Sequence, residues 1–429
     1  MYALFLGCII PFRLPFIEKT ARTIFDLLDV EVCDIPQFSC CPNTNLKPLG
    51  EITWHTIAAR NLALAEKENL DIVCLCSGCS KNLKTANVHL KNNPELLEEV
   101  NSRLSRINLE YNGTVNVRHF VEVLLSLGLE DLEQKVVYPL TGIRIAPHYG
   151  CHLLRPSEEV LFDDPLNPKS LDKLVEILGA TSVNYETKML CCGGELSPVD
   201  PEESFNIARR KLKEVRDVAD CLTVVCPFCF TQYDSGQVRM KFSPGVPIIH
   251  YLELLALAMG VPLSEIGFSH HRVKPENLIE EAVRRRQAID YLSNFFDVEL
   301  LKSCVSCGAC SEVCPIASQD YNPHSVVSAL LEGRLDDVIE QGNYWKCAEC
   351  YTCHEMCPQR MGLVEIFSTL KRIAVERRKL PPHVVEQRNA VIKNGFAIPP
   401  SMALRKRFGL PAPPSPNVEE LKILVKEDG

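Results

Sequence analysis

The sequence predicts a duplicated α/β architecture followed by a mainly helical module. Three observations carry this: a five-cysteine pattern that occurs twice, short apolar runs that end at those cysteines, and amphipathic segments between the runs.

The duplication fixes the first two domains. Cys8, Cys40, Cys41, Cys76 and Cys79 read C-x31-CC-x34-C-x2-C, and Cys151, Cys191, Cys192, Cys226 and Cys229 read C-x39-CC-x33-C-x2-C. The same order at nearly the same spacings, twice in one chain, is the mark of a gene duplication. Each first cysteine closes a strand-like run, YALFLGC or IRIAPHYGC, and each last pair follows another, LDIVCLCSGC or CLTVVCPFC. Those runs break into Gly or Pro turns and give way to helical patterns. Between them RLPFIEKTARTIFDLL, TWHTIAARNLALAEKE, LDKLVEILG and PEESFNIARRKLKEVRDVA have helical periodicity. Strand and helix in alternation imply a small parallel sheet with covering helices in each half, with the cysteines at the carboxyl ends of strands, where such sheets bind ligands. The expected fold is two Rossmann-like cysteine-rich domains, residues 1–145 and 146–270, related by a pseudo-twofold axis and facing each other.

A charged, cysteine-free stretch containing ENLIEEAVRRRQAIDYLSNFF reads as a linker over residues 271–300. Residues 301–429 then change character. Cys304, Cys307, Cys310 and Cys314 precede Pro315, and Cys347, Cys350, Cys353 and Cys357 precede Pro358, each a C-x2-C-x2-C-x3-C-P run. HSVVSALLEGRLDDVIEQG between them reads as one or two helices and GLVEIFSTLKRIAVERRK after them as another, giving a mainly α-helical, ferredoxin-like domain. The proline cluster GLPAPPSPN and the charged tail are expected to be loosely packed wrapping or a docking segment.

The composition is that of globular protein: 429 residues, 46% hydrophobic and 24% charged. Its 21 cysteines exceed any packing need. In a chain of this size they point to reduced thiols given to metals rather than to disulfide staples. MYALFLGCII lacks the basic start and cleavage site of a signal peptide, and LELLALAMG is the size of a buried helix rather than of a membrane span of about 20 residues. A soluble cytoplasmic protein is expected. With 46 Lys+Arg against 55 Asp+Glu the net charge is −9, which offers nothing to nucleic acid or an anionic membrane. No GxGxxG or phosphate loop stands between a strand and a helix, so no flavin or nicotinamide is expected in this chain.

Two C-x2-C-x2-C-x3-C-P runs are the signature of two cubane [4Fe–4S] clusters, the fourth cysteine of each run serving the other run's cluster. The ligand sets are then Cys304, Cys307 and Cys310 with Cys357, and Cys347, Cys350 and Cys353 with Cys314. Zinc, the alternative, favours two separated C-x2-C knuckles. Cubanes capped on every iron offer a substrate no position, so this module conducts electrons. The doubled cysteines of the first half are harder to read, because neighbours such as Cys40 and Cys41 do not comfortably cap separate corners of one cube. A vicinal disulfide or a redox-active thiol pair is the alternative there.

FSCCP, LCSGC, HYGCHLLRP, MLCCGG and VVCPFCFTQYD, in this order, resemble the B subunit of heterodisulfide reductase and the wider cysteine-rich (CCG) domain family. SCVSCGACSEVCP and YWKCAECYTCHEMCP, with the helix after them, resemble the C subunit, so the whole resembles a B–C fusion. The resemblance implies that each five-cysteine set holds a noncubane [4Fe–4S] cluster, two smaller clusters fused through shared atoms, with the doubled cysteine bridging. One set is Cys8, Cys40, Cys41, Cys76 and Cys79; the other is Cys151, Cys191, Cys192, Cys226 and Cys229. It further implies reduction of a disulfide, the coenzyme M–coenzyme B heterodisulfide in methanogens, to two thiols between the paired clusters. Electrons would come from a flavin-containing, electron-bifurcating A subunit, itself fed by a hydrogenase, formate dehydrogenase or other oxidoreductase. The acidic loop in MLCCGGELSPVDPEE replaces a longer glycine-rich stretch of methanogen members. The alternative is therefore another disulfide, or an electron-relay subunit of a different complex.

The remaining candidates have plainer readings beside the functional ones. Cys33, Cys74 and Cys221 lie in or beside apolar strands and read as core packing. His148 and His152 flank Cys151, as proton donors or as hydrogen-bond partners of cluster or backbone. Lys81, Lys84 and Arg155 follow cluster cysteines, as anchors for an anionic substrate or as solvated charges.

Overall fold

The computed structural model describes residues 1–319, 321–398, 402–412 and 415–425. Part of the proline cluster, Pro413 and Pro414, and the end of the charged tail, 426–429, lie outside them. The chain divides into two units, Met1–Arg284 and Arg285–Gly429.

The first unit contains two four-stranded parallel sheets built alike. Strands β1 (Tyr2–Phe5), β2 (Val32–Cys33), β3 (Asp71–Cys74) and β4 (Val117–His119) lie in the order β2-β1-β3-β4. Strands β5 (Arg144–His148), β6 (Thr181–Ser182), β7 (Cys221–Val224) and β8 (Ile248–His250) lie in the order β6-β5-β7-β8. The central strands are mostly apolar and almost wholly buried, as parallel sheets covered by helices require. Cys74 and Cys221, read as packing residues, are fully buried there, whereas Cys33 on an edge strand is only half-buried. One hydrophobic core runs through both halves, from Phe5 and Trp54 to Tyr233 and Leu255.

Local chemistry sets the helix ends. RLPFIEKTARTIFDLL does not form one helix: Pro15 restrains Leu14, so Ile9–Arg13 ends and Pro15–Leu27 begins. Glu51–Lys67 and Pro201–Val218 are the helices expected between the cysteine motifs, the second started by Asp200, whose carboxylate accepts the Glu203 N–H at 3.0 Å. LELLALAMG forms the buried helix Tyr251–Ala258.

The second unit is helical, with no strand among its described residues. Gly333, at φ +74°, divides HSVVSALLEGRLDDVIEQG into Pro323–Leu331 and Leu335–Gln341. These pack with Leu363–Glu376 around Leu330, Tyr344, Phe367 and Leu370. No described helix of the chain is long and apolar enough to cross a membrane.

Candidate functional site

Each half of the first unit delivers its cysteines in the same way. Cys8 and Cys151 follow β1 and β5; the doubled pairs Cys40–Cys41 and Cys191–Cys192 lie in loops after the edge strands β2 and β6. Cys76 with Cys79, and Cys226 with Cys229, open the helices Ser77–Asn92 and Pro227–Arg239 that follow β3 and β7. All ten therefore gather at the carboxyl ends of strands, and all ten line one cleft. Asn43, Ser77, Asn82, His152, Glu195 and Phe228 share its wall.

The thiols run in sequence through the cleft. Cys8 neighbours Cys40, Cys40 neighbours Cys41, Cys41 neighbours Cys79 and Cys79 neighbours Cys76, each thiol shifting the titration of the next. The second half repeats the order Cys151, Cys191, Cys192, Cys229, Cys226. Cys76 Sγ and Cys226 Sγ, 3.9 Å apart, join the two series. Donors are already aimed at sulfur. Asn82 Nδ2 is 3.8 Å from Cys41 Sγ, and the N–H groups of Gly193 and Gly194 each lie 3.4 Å from the sulfurs of Cys191 and Cys192. Hydrogen bonds from Cys40, Cys79 and Asn82 hold Cys41 well below the usual thiol range. Bonds from Cys229 and Cys76 do the same for Cys226. Those two positions favour thiolate, the form that binds metal, whereas neighbouring thiols push Cys79 and Cys229 up.

Gly7 and Gly150, one residue before the first cysteine of each set, explain a feature the spacing alone left silent. Both have positive φ, +66° and +74°, and a Cβ on Gly7 would sit 2.8 Å from Cys79 Sγ. The turn thus passes the backbone just before the first cysteine closely against the sulfur of the last one.

The other candidates separate by position. His152 lines the cleft, with its Nδ1 3.7 Å from where a Cβ of Gly78 would stand. His148 lies behind the second set, fully buried, its Nδ1 3.0 Å from Lys211 Nζ and its Nε2 without a partner. Lys84 is engaged elsewhere, donating to Glu122 at 2.7 Å and to the Val160 carbonyl at 2.8 Å. Lys81 and Arg155 are not part of the cleft wall; Lys81 is half-buried beside Asn82. Sequence reading missed Asn43, Asn82 and Glu195. Asn82 had a signal, standing one helical turn after Cys79. Glu195 stands three residues after the second pair, in the acidic loop of MLCCGGELSPVDPEE, and its Oε2 is buried without a partner.

In the second unit two small cavities each collect four cysteines, three from one run and one from the other. Cys304, Cys307, Cys310 and Cys357 line the first; Cys347, Cys350, Cys353 and Cys314 line the second. Among the described residues no three Cys, His, Asp or Glu side chains converge on the position of a single ion. Four thiols at each site are a donor set that suits an iron–sulfur cluster.

Comparison with known proteins agrees with both units. A cysteine-rich domain family matches residues 2–84 and again 145–234, and a 4Fe-4S dicluster domain family matches residues 300–361. The chain is 40% identical, over 63% of its length and 93% of the relative, to the B subunit of a ferredoxin/F420H2-dependent CoB-CoM heterodisulfide reductase of Methanosarcina acetivorans. It is 31% identical, over 65% of its length and 98% of the relative, to an 8-methylmenaquinol:fumarate reductase membrane anchor subunit of Wolinella succinogenes. An iron-sulfur C subunit of the CoB–CoM heterodisulfide reductase of Methanocaldococcus jannaschii is 34% identical over 30% of the chain and 75% of the relative. With a B-type relative matched in its first part and a C-type relative in its last, the chain belongs to the heterodisulfide reductase family of iron–sulfur oxidoreductases.

Proposed function

We propose that the chain reduces a heterodisulfide, with the coenzyme M–coenzyme B disulfide as first candidate, to two thiols in the ten-cysteine cleft. The observation that carries this is the cleft itself: both halves present the same series of thiols to one space, and the series meet at Cys76 and Cys226. A two-electron, two-proton reduction suits a site with two equivalent ends. Bound there, two noncubane [4Fe–4S] clusters would supply the electrons, one from each half, and two cubanes in the second unit would feed them. The chain's part is to orient: Asn82, Gly193 and Gly194 direct N–H groups at sulfur, and His152 stands in the wall where a departing thiolate needs a proton.

The finer reading comprises two Rossmann-like domains, 1–145 and 146–270, on a pseudo-twofold axis, a linker over 271–300 and a ferredoxin-like domain over 301–429. It includes an A-type flavin subunit as partner and a cytoplasmic, anaerobic setting. The identical strand order of the two sheets supports the first part.

A second reading, an electron relay or a reductase of another acceptor, is favoured by Glu195, a carboxyl group in the wall where an anionic disulfide must fit. It is also favoured by the relative named as a fumarate reductase subunit, which the chain matches over nearly that relative's whole length. Reduction of the coenzyme M–coenzyme B disulfide by iron-loaded, anaerobic protein, with reduced viologen as donor, separates the two. Turnover establishes the first; none with full iron content transfers the weight to the second.

A further inference from the structure

The two halves share their cysteines but not what lies behind them. β1 ends at Phe5, in register with Cys74, and β5 ends at His148, in register with Val224, so Phe5 and His148 occupy the same place. Asn61 and Lys211 also correspond. Each lies two helical turns after a side chain, Trp54 or Ser204, that donates to the carbonyl just past its cysteine pair, Pro42 or Gly193.

In the first half this place is neutral. Phe5 packs on Phe38, ring centroids 5.0 Å apart, and Asn61 accepts the Ser39 N–H and donates to the Cys40 carbonyl. A buried lysine of the first half, Lys84, has its charge balanced by Glu122. In the second half Lys211 has no exposed surface. Its ammonium donates to the Lys188 carbonyl at 2.8 Å, meets His148 Nδ1 at 3.0 Å and lies over the Tyr185 ring at 5.3 Å. Burial pulls its pKa down to about 7, and the thiols of Cys229, Cys192 and Cys191, ahead of Glu214, oppose that by favouring the charged form. A buried cation needs a counter-charge. Here the negative groups ahead of it are the cysteines themselves.

We propose that Lys211, held by His148, is a cationic support for the cluster of the second half and makes that cluster easier to reduce than its counterpart in the first. The inference rests on the cluster reading above. Each electron added to a thiolate-ligated cluster adds negative charge, and a fixed cation in a low-dielectric interior stabilises the reduced form. Two sites with identical ligands thereby acquire an order: an electron entering the pair settles first on the second half. Lys211 is a positioning residue, with no place in the cleft wall.

The test is an anaerobic, spectroscopically monitored redox titration of the iron-loaded full chain, comparing wild type with Lys211→Gln, Lys211→Met and Lys211→Arg. Cys191→Ser, which disables the second-half set, identifies which noncubane midpoint belongs to it. The neutral variants are expected to lower that midpoint so that its reduced fraction at fixed potential falls about tenfold, about 59 mV for one electron. The first-half and cubane midpoints stay in place, and Lys211→Arg stays near wild type. An unmoved midpoint in the neutral variants at wild-type iron content overturns the proposal, as does an equal shift in Lys211→Arg. Loss of iron from both neutral variants also overturns it, making the pair structural. Absence of any noncubane signal from the wild type sinks the cluster reading itself, and the support with it.

Discussion

Cys76 Sγ and Cys226 Sγ stand 3.9 Å apart, a direct link between the thiols of the two halves. Each belongs to the residue before a helix, Ser77–Asn92 or Pro227–Arg239, that leaves the end of a central strand. The contact is thus fixed by the two sheets rather than by mobile loops. Whatever lies between the two cysteine sets is held between regular elements, the ends of central strands and the starts of helices.

If the doubled cysteines hold the unusual clusters, Cys41→Ser and Cys192→Ser must each abolish disulfide reduction, by roughly 100-fold or more, while leaving the second unit intact. Viologen-driven turnover and low-temperature paramagnetic spectra of the same samples check this. Undiminished turnover in either variant refutes the assignment.

Gly7 and Gly150 should differ in their tolerance of alanine. Both have positive φ, which costs an L-residue about 1–2 kcal/mol. Only at Gly7 does the new methyl also meet a cysteine sulfur, at 2.8 Å; at Gly150 the corresponding distance is 3.7 Å. Gly7→Ala is expected to lose iron from the first half and most activity, Gly150→Ala to keep its iron with lower stability. Iron per chain and a melting curve distinguish them, and equal iron content in both would contradict the steric account.

Much of this site was legible because cysteine spacing is a ligand pattern before it is a structure. The ten cysteines and the two ferredoxin-type runs could be named from sequence, and the repeated strand-to-cysteine order already implied carboxyl-end placement. What lay beyond reach was set by contacts across long separations. Lys84 follows a cluster cysteine like a substrate anchor, yet it spans to Glu122 and Val160. His148 and His152 flank the same cysteine, but His148 ends β5 and is buried, whereas His152 lies beyond the Gly150 turn and lines the cleft. The edge strands β2 and β6, two residues each, carry no periodicity to read.

Lys84 therefore has a structural prediction. Its ion pair with Glu122 is largely buried, with side chains 10% and 17% exposed. Removing one partner of such a pair leaves the other uncompensated and costs about 3–5 kcal/mol. Lys84→Met should lower the melting temperature markedly while the KM for disulfide in the surviving protein stays near wild type. A raised KM at unchanged stability would return Lys84 to the set of substrate anchors.

His271 gives the first unit a pH-dependent stability. Burial alone would push its pKa down, but the Glu253 carboxylate at 2.9 Å, aided by Asp234, raises it above the ordinary value. A histidine whose folded pKa is raised contributes stability that is complete below its unfolded pKa, about 6.5, and fades as pH rises through the folded value. Wild type should lose stability across that alkaline window relative to its own value at pH 6. His271→Gln should be less stable at pH 6 and lack that part of the slope. Parallel pH profiles for the two proteins would exclude the ion pair as the source.

The sharpest prediction concerns the crossing of ligands in the second unit. Cys314 lies in the first C-x2-C-x2-C-x3-C-P run, yet it lines the cavity of Cys347, Cys350 and Cys353, while Cys357 of the second run lines that of Cys304, Cys307 and Cys310. Cys314→Ser and Cys350→Ser should therefore perturb one and the same cubane signal, and Cys357→Ser and Cys307→Ser the other. Serine is a poorer ligand for iron than thiolate, so each variant should shift or convert its own signal and spare the second. Spectra of the four single variants decide the matter. If Cys314→Ser altered the same signal as Cys307→Ser, each run would hold its own cluster, and the two cavities would not be the cluster sites.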